Sequence, residues 1–227
     1  AAHPASDPGF DQFVSDPAKP VPYSEEITNR MTNEYMTDDQ RFAARRPDVL
    51  VYQSDILTDD LVMAGPLQAQ FYASTSETDA DFVVKLIDVF PDGADAARLP
   101  NYQMMVRSEV LRGRFRNSYE KPEAFVPNQP AAIHLELLDV LHRFQKGHRI
   151  MIQIQSTWFP LVDRNPQQFV PNIYLAKPED FSEFLRREPL AGFQDRASRP
   201  RQHAAEPADA DGEKAEEYLG HGGSWTI

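Results

Sequence analysis

The chain has 227 residues, 41% of them hydrophobic, so it can bury a sizeable core as one large β domain or two small ones. Its net charge of −12 argues against nucleic acid and anionic membranes as partners. The absence of cysteine excludes disulfides and thiolate sites, and no apolar run approaches the roughly 20 residues of a membrane span.

Residues 1–47 show little alternation of apolar and polar residues. The first four residues are not followed by the basic and apolar regions of a signal peptide, and the missing initiator methionine indicates a mature or shortened chain. Prolines between residues 17 and 22 predict an extended connector. Residues 31–46 are polar, with Tyr35, Met36 and Phe42 interspersed. A loop of this length is unusual in a compact domain unless it is functional or bound to something missing.

From residue 48 the pattern changes to short apolar strands separated by turn residues. Strands are predicted from residue 49, over 61–74, 81–90, 102–110 and 132–138, and from 149 onwards. Gly65-Pro66 predicts a break or a bulge, and the strand over 81–90 should be central because both of its faces are apolar. No stretch between residues 48 and 181 has a period of 3.6, so the chain is predicted to be all-β, as a sandwich or barrel.

One strand and its exit dominate the pattern. Ile150, Ile152 and Ile154 alternate with Met151, Gln153 and Gln155, which predicts a strand with one strongly apolar face. Trp158-Phe159-Pro160 follows as an aromatic plug, and Pro160 ends the hydrogen-bond ladder. We interpret this as a central structural strand, because no Ser, His or Cys in it lies beside an obvious base.

After Phe181 the composition shifts toward Pro, Ala, Asp and Glu. A short helix is predicted over 182–190, and disorder or loosely attached coil over 194–217, because such a composition cannot bury enough surface to offset chain entropy. Residues 218–227, which end in Trp225-Thr226-Ile227, are a weak candidate for a further strand.

Catalytic and metal-binding motifs are missing from the sequence. There is no Gly-x-Ser-x-Gly nucleophile elbow, and Gly222-Gly223-Ser224 lacks the flanking strand and helix. No pair of histidines has metal-ligand spacing, so His134 and His148 are interpreted as structural. Aspartate pairs at 59–60 and 79–81 are assigned turn-forming and capping roles rather than calcium binding. No metal or cofactor is predicted.

Three further groups of side chains have both a plain and a functional interpretation. Lys85 lies in an apolar strand and needs a partner from another strand if it is buried, because Asp88 lies on the opposite face. The arginines at 112, 114 and 116 indicate a solvated or salt-bridged face rather than an anion site. Five aromatic residues could bind sugars, although core packing is the preferred interpretation: Tyr102, Phe115, Tyr119, Trp158 and Phe159.

The same strand and its exit carry a family resemblance. Gly147-His148-Arg149-Ile150, followed by Ser156 to Phe159-Pro160 and by Asp163-Arg164-Asn165, resembles the end of the C-terminal jelly-roll domain of X-Pro dipeptidyl-peptidase-like hydrolases. Within that group, which includes the bacterial cocaine esterases, Trp158 with Pro171-Asn172-Ile173 matches the α-amino-acid ester hydrolases best. Arg149, Trp158, Phe159, Asp163 and Arg164 are the structural residues of this motif.

Other pieces match the family in its own order and extend the resemblance over about residues 13 to 181. They are Ser15-Asp16-Pro17, Pro20-Val21-Pro22, Asp39-Gln40-Arg41, Arg46-Pro47-Asp48-Val49-Leu50, Asp79-Ala80-Asp81-Phe82, Lys85-Leu86-Ile87-Asp88-Val89 and Leu111-Arg112-Gly113-Arg114. The resemblance implies a galactose-binding-like jelly-roll sandwich over 48–181, preceded by a linker and cleft-lining loop over 1–47 and followed by a low-order tail over 182–227. Members of the family usually end in a further aliphatic strand, which is not evident here.

The resemblance also implies a function. The family's enzymes cleave esters or amides with a Ser-His-Asp triad on a preceding α/β-hydrolase domain, and none of those three residues is present here. The chain is therefore expected to be the non-catalytic C-terminal domain of such a hydrolase. In this role it packs on the catalytic domain, which is its partner in cis, and shapes the active site. Asn29, Arg30, Met31 and Tyr35 are the expected wall of the substrate cleft.

Several points stay open at this stage. The chain's own enzymatic activity is undecided, because the parent family are hydrolases but the triad is missing. A bacterial cytoplasmic and a periplasmic location are both compatible with the sequence, and so is a homo-oligomer. The alternative function is that of a free-standing jelly-roll module that binds carbohydrate.

Overall fold

The computed structural model describes residues 10–27, 32–93, 99–181, 184–189 and 225–226. Besides four 3-10 helices (Glu34–Met36, Gly113–Phe115, Ile173–Leu175 and Pro178–Asp180), the chain forms within them nine strands and one four-residue α-helix. These are β1 (Phe10–Ser15), α1 (Arg41–Ala44), β2 (Val49–Gln53), β3 (Leu61–Thr75), β4 (Asp81–Val89), β5 (Gln103–Arg112), β6 (Ala131–Phe144), β7 (Arg149–Gln155), β8 (Phe184–Pro189) and β9 (Trp225–Thr226). The all-β prediction is confirmed, and the jelly-roll connectivity stays a prediction. In the described part of the chain, every helix is too short to cross a membrane.

The strands form two sheets. The first, called the β3 sheet, has the order β1-β8-β3-β6 with β9 also paired to β3, and the second, called the β4 sheet, has the order β2-β7-β4-β5. Pairing is antiparallel throughout except between β3 and β9. This arrangement confirms a sandwich of two packed sheets.

The main core lies between the two sheets. Phe82, Val84 and Leu86 of β4 contribute to it, and Ile133 and Leu137 of β6 approach from the other side. The inward alternation predicted for β6 is therefore confirmed, and the side chains at 134 and 136 are exposed. All nine residues of β4 are buried and the strand pairs with β7 and β5, which confirms its central position.

Gly65-Pro66 does not interrupt β3, which is continuous from Leu61 to Thr75. The register with β6 shifts between Leu67 and Gln68, which pair with Leu138 and Glu136. The extra residue thus lies on β6, where Leu138 has a positive φ of 65°. The proline lies beside a bulge that belongs to the partner strand.

Strands also occur where the sequence predicts a linker and a helix. β1 lies within residues 1–47 and pairs along its whole length with β8, which also pairs with β3. The helix predicted over 182–190 is therefore wrong for the described positions, because hydrogen bonds to two strands outweigh a weak local preference. Trp225–Thr226 pairs with β3, and the predicted coil over 194–217 lies outside the described residues.

A third layer covers the outer face of the β4 sheet. It consists of residues 16–27 and 32–47, which we call the N-terminal cover. Beneath it, Val83 and Lys85 of β4 and Gln153 of β7 are at most 1% exposed although they point away from the main core. A separate apolar cluster of Val21, Ala43 and Val49 holds the cover to β2. The central strands of the β4 sheet, β4 and most of β7, are thus buried on both faces.

Candidate functional site

The N-terminal cover is attached to the exit of β7 by hydrogen bonds. Val21 N donates to Thr157 Oγ1 at 2.8 Å, and Phe159 N donates to the Val21 carbonyl at 3.0 Å. Tyr23 N in turn donates to the Phe159 carbonyl at 3.0 Å. Proline has no N–H to donate. The prolines flanking Val21 therefore prevent this contact from extending into a longer ladder of hydrogen bonds.

A turn around Asp39 positions the second half of the cover. Asp39 Oδ1 accepts hydrogen bonds from Arg41 N at 3.1 Å and Gln103 N at 3.2 Å, as an aspartate does at the start of a turn. Gln40 N donates to the Gln103 carbonyl at 3.0 Å, so this turn is fixed to the edge strand β5. The Gln40 side chain is therefore directed at the buried face of the β4 sheet, where it is 0% exposed.

Lys85 is a buried amine beneath the cover. Its Nζ donates to Gln40 Oε1 at 2.9 Å and lies 4.7 Å from the centre of the Trp158 ring. The partner of Lys85 is thus an amide of the cover, and the prediction of a partner from another strand is wrong. Both contacts favour the ammonium form, but burial outweighs them and lowers the pKa of Lys85 to about 7.

Of the predicted cleft-wall residues, Asn29, Arg30 and Met31 lie outside the described part of the chain. Tyr35 is half-buried, with its ring 5.5 Å from that of Tyr23 and 5.6 Å from that of Trp158. It therefore packs against the aromatic plug. Its role in a cleft wall stays a prediction.

The five motif residues join the exit of β7 to neighbouring segments. Trp158 is buried as predicted, in a cluster with Tyr23 and Val83 under the cover rather than in the core between the sheets. Arg149 Nη1 donates to the Ser54 carbonyl at 2.9 Å, and Arg164 Nη1 donates to the Pro17 carbonyl at 3.0 Å. Phe159 is 41% exposed with Arg164 near its ring, and Asp163 accepts a hydrogen bond from the Tyr174 hydroxyl.

The aspartates at 79 and 81 form buried polar contacts rather than the capping roles predicted for them. Asp79 is 0% exposed and its Oδ2 accepts two hydrogen bonds from Arg114, which also donates to the Val170 carbonyl at 2.8 Å. Asp81 Oδ1 accepts from Asn165 Nδ2 at 2.8 Å. Local sequence could not indicate these roles, because Arg114 lies 35 positions from Asp79 and Asn165 lies 84 positions from Asp81. The salt-bridged interpretation of the arginine group is confirmed.

Gly113 in the same motif is required by a close approach. A Cβ added there would lie 2.6 Å from the Phe125 ring and would also clash with the Ala80 carbonyl. Gly113 N donates to that carbonyl at 2.8 Å, so the backbone passes directly over β4. Only glycine fits this passage.

The histidines have structural positions. His148 Nδ1 lies 2.7 Å from Asp88 Oδ1, and His142 Nε2 lies 2.9 Å from Asp88 Oδ2, so one buried carboxylate bridges the two sheets. His148 is thus a satisfied structural residue, as predicted, whereas His134 is exposed. In the described ranges, no three His, Asp or Glu side chains are arranged to hold a metal ion.

The remaining aromatic residues divide between core and surface. Tyr102 is half-buried, its hydroxyl donates to the Thr37 carbonyl, and burial raises its pKa. Phe115 and Tyr119 line a surface groove. Tyr174 is exposed, and its hydrogen bond to Asp163 raises its pKa. The preference for core packing therefore holds for Trp158 but not for Tyr119.

Apolar side chains are exposed near the cover and the exit of β7. Met36 follows Tyr35, and Phe159 follows Trp158; they are 46% and 41% exposed. Tyr174 and Leu175 belong to a short 3-10 turn tied to this region through Asp163, and they are 77% and 76% exposed. We call these four residues the apolar rim. The sequence indicated Met36 and Phe159 but gave no signal for the turn.

Comparisons with known proteins agree with this architecture. The chain is 34% identical over 155 residues to a cocaine esterase from Rhodococcus sp. (strain MB1 Bresler). This match covers 68% of the chain and 26% of the esterase. It is similar to the crystal structure of an aminopeptidase from a marine sediment Thaumarchaeota archaeon, with 45% identity and a TM-score of 0.75 over 79% of this chain and 30% of that one. It is also similar to an α-amino acid ester hydrolase, with 43% identity and a TM-score of 0.78 over 82% of this chain and 31% of that one.

The chain thus spans less than a third of the length of each of these relatives. The model of the X-Pro dipeptidyl-peptidase C-terminal non-catalytic domain matches residues 8–205, which include the N-terminal cover and every described strand except β9. The chain belongs to the family of X-Pro dipeptidyl-peptidase C-terminal non-catalytic domains.

Proposed function

We propose that the chain packs on the α/β-hydrolase catalytic domain of a serine ester or amide hydrolase and helps to shape its active site. The observation that carries this proposal is the match to a non-catalytic C-terminal domain, by a chain that spans about 30% of an aminopeptidase and an α-amino acid ester hydrolase. The missing length leaves room for a separate catalytic domain. The absence of a Gly-x-Ser-x-Gly motif from the sequence supports a division of labour in which that domain supplies the nucleophile.

The N-terminal cover and the apolar rim form the docking face in this proposal. Met36 and Phe159 directly follow Tyr35 and Trp158 of the packed aromatic cluster, and exposed apolar side chains beside such a cluster are typical of a surface that another domain covers. Tyr35 provides a firm base for the face, because its ring is held between Tyr23 and Trp158. Asn29, Arg30 and Met31 follow the first described segment of the cover in the sequence, and their part in the cleft wall belongs to this proposal.

The isolated chain should not hydrolyse esters. Hydrolysis by acyl transfer needs a nucleophile activated by a neighbouring base, and no serine in the described residues lies in such an arrangement. Incubation of the purified 227-residue chain with p-nitrophenyl acetate should release nitrophenol at the rate of a mock preparation. Turnover above that rate that a serine-directed inhibitor abolishes would contradict the non-catalytic assignment.

Hydrogen exchange should locate the docking face. When the α/β-hydrolase domain of an α-amino acid ester hydrolase is added in trans, we expect slower amide exchange at residues 33–37 and 172–176, because the added domain excludes water from the rim. Amides of β4 should not change. The variant Tyr174→Asp should reduce the protection, whereas Tyr119→Asp, an equally exposed tyrosine outside this face, should leave it intact. Unchanged exchange at both segments would refute the docking face.

A further inference from the structure

A surface groove lies on a different part of the molecule from the docking face. It has a volume of about 590 Å³ and runs between β5, the turn that follows β5, and the edge strand β6. A second groove of about 410 Å³ continues it, since Gln68, Glu136 and Leu138 line both. Neither is lined by the N-terminal cover or the apolar rim. Together they form a continuous surface depression along β3, β5 and β6.

Two aromatic rings form one wall of the groove. Phe115 and Tyr119 are stacked, with ring centres 6.3 Å apart and an angle of 27° between the planes. Tyr119 is 83% exposed, so it contributes little to the core. Phe115 supports the tyrosine ring while a face remains open to solvent. An aromatic face carries negative charge density and attracts the weakly positive C–H groups of a ligand.

Planar polar side chains lie opposite this aromatic wall. His134 and Glu136 point outward from β6, and Gln68 points outward from β3. Asn117, on the same turn as Tyr119, uses its Nδ2 on Glu123 and keeps its carbonyl oxygen as an acceptor. These groups offer hydrogen-bond donors and acceptors at several positions along the groove. They suit a ligand with many hydroxyl groups, each of which both donates and accepts.

The charges of the groove select against anions. Arg116 donates to the carbonyls of Gly113, Glu123 and Ala124, and Arg107 donates to the Asp139 carbonyl. Both guanidinium groups therefore have intramolecular partners, whereas Glu109 and Glu136 also line the groove. An anionic ligand would meet these carboxylates, so a neutral ligand is favoured.

We propose that this groove binds a neutral sugar chain. A pyranose ring stacks on Tyr119 through its C–H face, and its hydroxyl groups bind Glu136, His134 and the Asn117 carbonyl. A carboxylate is a strong acceptor for hydroxyl donors, which gives Glu136 the main orienting role. The site is independent of docking to a catalytic domain, because the two surfaces share no residue.

Titration of the 227-residue chain with neutral pentasaccharides tests this inference. Maltopentaose, cellopentaose, xylopentaose and mannopentaose are added separately, and binding is followed by calorimetry and by NMR shifts of the amides. We expect at least one of them to bind with a dissociation constant at or below about 1 mM. The shifted amides should lie in residues 115–119 and 134–138.

Two exposed tyrosines provide the matched variants. Tyr119→Ala should weaken binding about 10-fold or more, and Glu136→Gln should also weaken it, whereas Tyr174→Ala should have no effect. Because Tyr119 is 83% exposed, its loss does not disturb folding. The inference is overturned if no neutral pentasaccharide binds at 10-fold higher concentration, if Tyr119→Ala binds as the parent does, or if pentagalacturonate binds more tightly than every neutral sugar.

Discussion

Replacement of Trp158 by alanine should lower the free energy of unfolding by about 3–5 kcal/mol. The indole is 4% exposed and packs against Tyr23, Tyr35 and Val83. Its removal leaves a cavity at the point where the N-terminal cover meets the β4 sheet. The loss includes the contact of Lys85 with the ring, so the cover should be weakened together with the sheet. Urea unfolding followed by circular dichroism measures the change.

The neighbouring aromatic residue is the matched control for this variant. Phe159→Ala removes a ring that is 41% exposed, so the expected loss is smaller, about 1 kcal/mol. Fluorescence provides a second test in a Trp225→Phe background, where emission comes from Trp158 alone. Blue-shifted emission that is hard to quench is expected. Red-shifted, readily quenched emission, or an equal loss from both alanine variants, would refute the burial of Trp158.

Lys85→Met should remove a strong pH dependence of stability. The folded protein holds Lys85 with a pKa of about 7, whereas the unfolded chain has the ordinary value of 10.5. Between these values the unfolded state binds more protons, so stability rises with pH by about 1.4 kcal/mol per unit. The penalty is fully present below pH 7 and amounts to about 5 kcal/mol over the whole window. The variant should lack this rise.

The comparison needs unfolding free energies at several pH values from 6 to 10 for both proteins. Subtracting the two curves cancels the other titrating groups and leaves the contribution of Lys85. Gln40→Leu serves as the control, because it removes the amide acceptor but retains the buried amine. It should keep the rise with pH. A difference between parent and Lys85→Met that does not depend on pH would show that the amine is protonated in the folded protein.

The strands of the main core could be predicted from local patterns. β4 has apolar residues on both faces, and β6 alternates strictly from Ile133 to Leu137, so a short window contains the information. The same holds for Trp158, whose burial follows from its size and its position after an apolar strand. Its place under the cover could not be predicted, because Tyr23 and Tyr35 are more than 120 residues away in the sequence (158 − 35 = 123).

Other features depend on distant partners and left no local signal. From the sequence, Gln153 and Gln155 are predicted to form the polar face of β7. Both are nevertheless 0% exposed, because the N-terminal cover lies over them. The sequence of β8 contains two arginines and a glutamate, and it becomes a strand because β1 and β3 offer backbone partners. The family resemblance implied the docking function that we propose, but Tyr119 and its groove belong to no motif of that resemblance.

The covered face of the β4 sheet has a consequence for how this domain can vary. Gln40, Gln153 and Gln155 are amides with no exposed surface, whereas Leu141 is 83% exposed. An amide in a closed layer is restricted by shape and by hydrogen bonding at once, so few other residues fit. A leucine in water is restricted by neither. We therefore expect that tolerance to substitution along this chain does not follow hydrophobicity. The three buried glutamines should tolerate few substitutions, whereas the exposed Leu141 should tolerate many.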